Sequence, residues 1–278
     1  MYASALRSDP SAARQRAEGR VALQVARLGP ATRATRVAES GSLRVRMPRA
    51  AGTTLEAVLL NTGGGIACGD RLTVAVDAGP AARVVLTTPA AEKVYRSDGA
   101  IAEVSVRLTL VGGADIAWLP QETIVFDRAR LRRRFEADLA ADARLLLFEA
   151  VVFGRTACGE EVNEGFFDDR WRIRRDGRLI HADTLRLDGR VAALLDRPAI
   201  GGGARALATV VYVAPDAEAR LDEARALLEG SACMAGASAW NGLLAVRFLS
   251  RDGAELRRAA IRVIEGLRGC GLPRVWQS

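Results

Sequence analysis

The block at 61–72 (NTGGGIACGDRL) packs Gly63, Gly64, Gly65 and Gly69 ahead of Asp70 and Arg71. Close-set glycines are what a phosphate-cradling loop needs, because backbone N–H groups approach an anion most closely where no Cβ intervenes. Here the third glycine misses the dinucleotide-loop spacing, no Walker lysine follows, and the next residues alternate like a strand instead of opening a helix. Two readings stay open for the glycines: a tight turn, or a bare backbone surface that a partner approaches closely. A second block, 118–127 (WLPQETIVFD), sets a rigid Leu-Pro corner before Gln121 and Glu122.

Other chemistry-bearing side chains are sparse. His181 is the only histidine, and Cys68, Cys158, Cys233 and Cys270 stand far apart without a CxxC pair. A catalytic triad, a zinc site and a multi-histidine nickel site therefore lack their ligands. The Asp176-Gly177 turn closes a hairpin in which Ile173 faces Ile180 and Arg172 faces His181, so the spacing predicts a histidine on the outer polar face. Cys68 reads as a buried small thiol or a soft ligand. Glu149 interrupts an apolar run at 145–153 (LLLFEAVVF), and a buried carboxylate needs a partner, a water or a cation. An ion pair with one of the many arginines is the simpler reading; the wall of a polar passage is the functional one.

The elements that must position these residues are mostly strands. The stretch 102–110 alternates strictly, with Ala102, Val104, Val106, Leu108 and Leu110 on one face and Glu103, Ser105, Arg107 and Thr109 on the other. Leu72, Val74 and Val76 repeat the pattern, and Gly-containing turns recur at Asp98-Gly99, Gly112-Gly113 and Asp188-Gly189. The run at 145–153 reads as a strand buried on both faces. Among Arg128, Arg130, Arg132, Arg133 and Arg134, the spacing puts Arg132 and Arg134 on a face with Glu136 and Asp138, away from Phe135 and Leu139. A solvated face is the default, and a docking patch for an acidic partner the alternative. Helical spacing appears only at 216–229 and 254–268. Strand after strand without intervening helices argues for a mainly β fold rather than βαβ units.

Composition sets the remaining bounds. A chain of 278 residues, 49% hydrophobic, can bury a large core. A tail is expected at 1–18, followed by one β-rich domain over 19–278 with an internal link near 198–203 (PAIGGG). The net charge of +7 invites acidic partners, while 5% aromatic content supplies a single-strand stacking platform poorly. Few, scattered cysteines and the absence of a signal-like or membrane-length apolar run lead to the expectation of a cytoplasmic protein without membrane or nucleic-acid partners.

Both blocks, in this order, resemble the urease accessory protein UreD (UreH) family, and the likeness continues through 82–97 (ARVVLTTPAAEKVYRS), 154–160 (GRTACGE) and 170–183 (RWRIRRDGRLIHAD). Thr62 and Gly63 depart from the family's Pro-Pro pair, and Cys68 replaces a small residue. The resemblance implies strands wound in a helical, β-helix-like stack with two helices near the C-terminus. It implies a non-catalytic chaperone that binds apo-urease together with UreF and, through UreF, UreG, in a dimeric assembly made by UreF. It also implies Ni²⁺ in transit towards urease, with no tightly bound cofactor. Asp70, Glu122, Glu149 and Glu160 are the candidate carboxylates of such a passage, Asp70 and Glu149 the candidates for transient Ni²⁺ contact. The alternative is a β-rich hydrolytic enzyme on an acidic substrate, using Asp70 and Glu149 as an acid–base pair.

Overall fold

The computed structural model describes residues 16–49, 52–155 and 158–276. The expected N-terminal tail lies outside the described residues up to residue 15. In chain order the strands are β1 (Glu18–Leu28), β2 (Ala31–Gly41), β3 (Leu43–Arg46), β4 (Leu55–Asn61), β5 (Arg71–Ala78), β6 (Arg83–Thr87), β7 (Glu92–Val94), β8 (Ala102–Leu110) and β9 (Asp115–Leu119). They continue as β10 (Thr123–Val125), β11 (Arg130–Leu139), β12 (Arg144–Phe153), β13 (Gly165–Arg175), β14 (Arg178–Gly189), β15 (Ala206–Val213), β16 (Met234–Trp240) and β17 (Leu243–Ser250). The α-helices are α1 (Val191–Leu195), α2 (Leu221–Ala226) and α3 (Gly253–Arg268).

These strands build two facing sheets. One has the order β14-β13-β11-β8-β5-β1-β2; the other runs β16-β17-β15-β12-β9-β6-β4-β3, with β7 and β10 joined beside β12. The chain steps from sheet to sheet, β5 to β6 and β7, β8 to β9 and β10, β11 to β12, so that each circuit lays parallel strands on the one before. The result is a β-solenoid-like stack, closed at its ends by antiparallel strands. The Leu-Pro corner has a specific task here: Pro120 separates β9 from β10, whereas β12 runs unbroken beside both.

Period-2 alternation sets the layers. Leu145, Leu147, Val151 and Phe153 of β12 join the core between the sheets, while Leu146, Phe148 and Ala150 face a second core under α3. That double burial is what the apolar run at 145–153 predicts. The helix α3 covers the second core with Leu256, Ala260, Val263, Ile264 and Leu267. Asp252 caps its start by accepting from the Ala254 and Glu255 amides, and Gly269 ends it in the left-handed conformation. The expected helix at 216–229 is shorter: a 3₁₀ turn over Glu218–Arg220 followed by α2.

Candidate functional site

Glu149 sits mid-strand on the inter-sheet face of β12, and the partner it requires comes from β11. Arg133 shares the inward face of that strand with Leu131 and Phe135, and its Nη1 contacts the Glu149 carboxylate. The other edge of the guanidinium grips Asp169 of β13, Nε to Oδ1 at 3.0 Å and Nη2 to Oδ2 at 2.5 Å. Two indoles complete the cluster: Trp118 Nε1 donates to Glu149 at 2.8 Å and Trp171 Nε1 to Asp169 at 3.1 Å. Arg133, Glu149 and Asp169 are all buried.

Burial pushes the Glu149 carboxyl above its usual range; Arg133 pulls it down and the charge of Asp169 adds to the rise. For Arg133 burial opposes the charge, but Asp169 and Glu149 hold the guanidinium firmly protonated. One cation shared by two carboxylates leaves the cluster with an excess negative charge or a retained proton. It forms the floor of a cleft of about 250 Å³, lined also by Asp183, Thr209 and Arg247. Arg247 and Asp183 pair across 2.7 Å at partly exposed positions of the cleft.

From the buried cluster, polar side chains lead on to half-buried positions on neighbouring strands. Arg133 Nη1 reaches Thr123 Oγ1 at 3.5 Å, and Thr123 of β10 is the register partner of Glu92 on β7. Glu92 in turn meets Asn61 Nδ2 at 3.4 Å, and Asn61 donates to the Gly65 carbonyl at 3.0 Å. Burial raises the Glu92 carboxyl to about 7, with the Asn61 hydrogen bond opposing.

The other candidate residues are placed elsewhere. Asp70 is buried in the loop before β5, where it accepts from the Ala17 amide at 2.8 Å and the Ala67 amide at 2.7 Å. It shares no hydrogen bond and no cavity lining with Glu149 among the described residues, so the proposed acid–base pair is not assembled. Gly63, Gly64, Gly65 and Gly69 form the turns beside it; Tyr95 packs on Gly65 and donates its hydroxyl to the Gly64 carbonyl at 2.9 Å. Glu122 pairs with Arg257 of α3 at 3.0 Å, and Glu160 with Arg155 at 2.6 Å, a contact that holds the Glu160 carboxyl below its usual range. Glu122 and Arg155 line one open groove, separate from the cleft over Glu149. Cys68 is buried, donating to Asp98 at 2.8 Å and accepting from Arg16 at 2.9 Å. Among the described residues no group of three or more His, Cys, Asp or Glu could hold a metal ion.

One expectation is corrected. His181 is buried rather than on the outer face, opposite Ile173 instead of Arg172. A bulge between Ile173 and Arg174 shifts the register by one, which turns the ring inward between Trp171 and Trp240. Arg133 lies on the opposite face of β11 from Arg132 and Arg134, as the expected spacing of that run requires. The alternation that places Leu131, Phe135, Ala137 and Leu139 inside places Arg133 with them, and the same parity in 167–173 puts Asp169 between Phe167 and Trp171. That parity was the available signal for both residues.

Residues 17–277 match the model of the UreD urease accessory protein family. A urease accessory protein UreD from Methylobacterium sp. (strain 4-46) is 59% identical over 271 residues, covering 95% of this chain and 96% of the relative. Those of Xanthobacter autotrophicus and Azorhizobium caulinodans are 56% and 55% identical, covering 99% and 95% of this chain and 99% and 97% of the relatives. The chain belongs to the UreD urease accessory protein family.

Proposed function

We propose that this chain is a non-catalytic scaffold of urease maturation. It docks on apo-urease subunits together with UreF, UreG joins through UreF, and the assembly is dimeric through UreF. Ni²⁺ is cargo that travels along the interior of the chain towards the urease active site, in the cytoplasm, and is not a resident cofactor. The observation that supports this reading is the buried polar cluster of Thr123, Arg133, Glu149 and Asp169 in a core otherwise packed with aliphatic and aromatic groups, with half-buried Glu92 and Asn61 on the neighbouring strands. A Ni²⁺ ion reaching Glu149 or Asp169 competes with the Arg133 guanidinium for the same oxygens. Such competition suits brief contact and release, not storage.

The test is co-purification with the host's urease subunits and UreF, with and without this gene. The expected result is a stable complex, and urease that stays nickel-poor by metal analysis when the gene is deleted. Urease that reaches full nickel content and activity without the gene, with nothing co-purifying, overturns the proposal.

A further inference from the structure

We propose that the outer face of the seven-stranded sheet is a docking surface for an acidic protein, gripped by Arg20 and Arg134, two arginines of one column that form no ion pair among the described residues. The inference rests on the docking role proposed above and adds the face and its chemistry. Strand register defines columns of side chains across this face. One column reads Glu18, Arg71, Glu103, Arg132, Asp168, Arg186, alternating in sign at every strand. Its neighbours are in ion-pair range, Arg132 to Glu103 at 3.3 Å and Arg132 to Asp168 at 3.5 Å. Another column carries Arg107, Glu136 and Arg172, with Arg107 and Glu136 paired at 3.1 Å.

The column between these two breaks the pattern. It reads Arg20, Thr73, Ser105, Arg134, Arg170, Thr184 and contains no carboxylate. Arg134 and Arg170 stand directly opposite on adjacent strands, an arrangement that costs stability in an isolated sheet. Arg170 leans to Asp168 at 2.9 Å, whereas Arg20 and Arg134 are exposed and meet no carboxylate among the described residues. Hydroxyls fill the remaining positions, so the column offers hydrogen bonds as well as positive charge. Carboxylates on a partner's surface complement it, and Arg is suited to grip them with both arms of its fork.

The test compares apo-urease binding by the purified full chain, wild type against Arg20→Glu/Arg134→Glu and Arg20→Gln/Arg134→Gln, at about 50 and about 500 mM NaCl. Arg262→Glu, on the exposed side of α3, serves as a control with the same kind of charge change away from the face. Circular dichroism checks that each variant keeps the β fold. The Glu variant is expected to bind roughly tenfold or more weaker at low salt, the Gln variant in between, both with a flatter salt dependence, and Arg262→Glu like wild type. Equal binding by all variants overturns the face assignment and leaves the docking role standing. No binding by the wild type overturns both. Wild-type binding to duplex DNA that the same two arginines control assigns the face to nucleic acid and also overturns it.

Discussion

Arg133 holds two carboxylates in a space that its neighbours fill with Leu131, Phe135, Phe167 and Trp171. Removing the cation leaves two buried acids without a counter-charge, so Arg133→Leu is expected to destabilise the chain by about 3–5 kcal/mol, read from the urea midpoint. An unchanged midpoint would mean that a proton or water already does this work. Glu92 gives a pH-dependent expectation. Its folded-state value of about 7 lies above the ordinary 4.5, so the folded chain binds the extra proton and stability falls as pH rises through this window. Glu92→Gln is expected to remove about 1–3 kcal/mol of that loss between about pH 5 and 7.5, seen as a flatter profile of unfolding free energy. Identical profiles for both proteins would locate the titration elsewhere. The carboxylate at 149 was legible as buried and paired, because apolar neighbours on both sides leave it nowhere else to go. Its partner was obscured by a run of arginines in which charge drew more notice than parity.

At the scale of elements, the glycine loop and the β13–β14 hairpin show where local reading succeeds and where it slips. The glycines were legible as a turn, and Tyr95 over Gly65 explains why that site is a glycine: a Cβ there would lie 2.4 Å from the ring and 2.9 Å from the Lys93 carbonyl. Gly64 also has positive φ but faces open space. Gly65→Ala is therefore expected to cost roughly 1–3 kcal/mol and Gly64→Ala about 1, compared by thermal unfolding. Equal losses would show that the Tyr95 contact yields freely. The hairpin turn was legible too, but a bulge three residues from it is not encoded in turn chemistry, and one shifted residue carried His181 from outside to inside.

Across the whole molecule, the strands and their faces could be read from alternation, whereas their neighbours could not. Arg71, Glu103 and Arg132 are adjacent in one column yet lie roughly thirty residues apart, and no sequence repeat announces the spacing. The winding came from the family resemblance alone. The excess positive charge was legible as an invitation to acidic partners, but not its distribution. Only the register shows that Arg71, Arg107 and Arg132 on the outer face are answered by a carboxylate on a neighbouring strand, while Arg20 and Arg134 share a column that has none.

The parallel stacking of successive circuits has a consequence for how the chain is made. A central strand such as β8 pairs with β5, already synthesised, and with β11, which leaves the ribosome roughly thirty residues later. At ordinary translation rates each nascent circuit thus presents an open strand edge for about 2–6 s before its successor covers it. Contacts between such distant residues also form slowly. Production of soluble protein should accordingly depend on what shields those edges during synthesis, a partner or a general chaperone, more than on the stability of the finished fold.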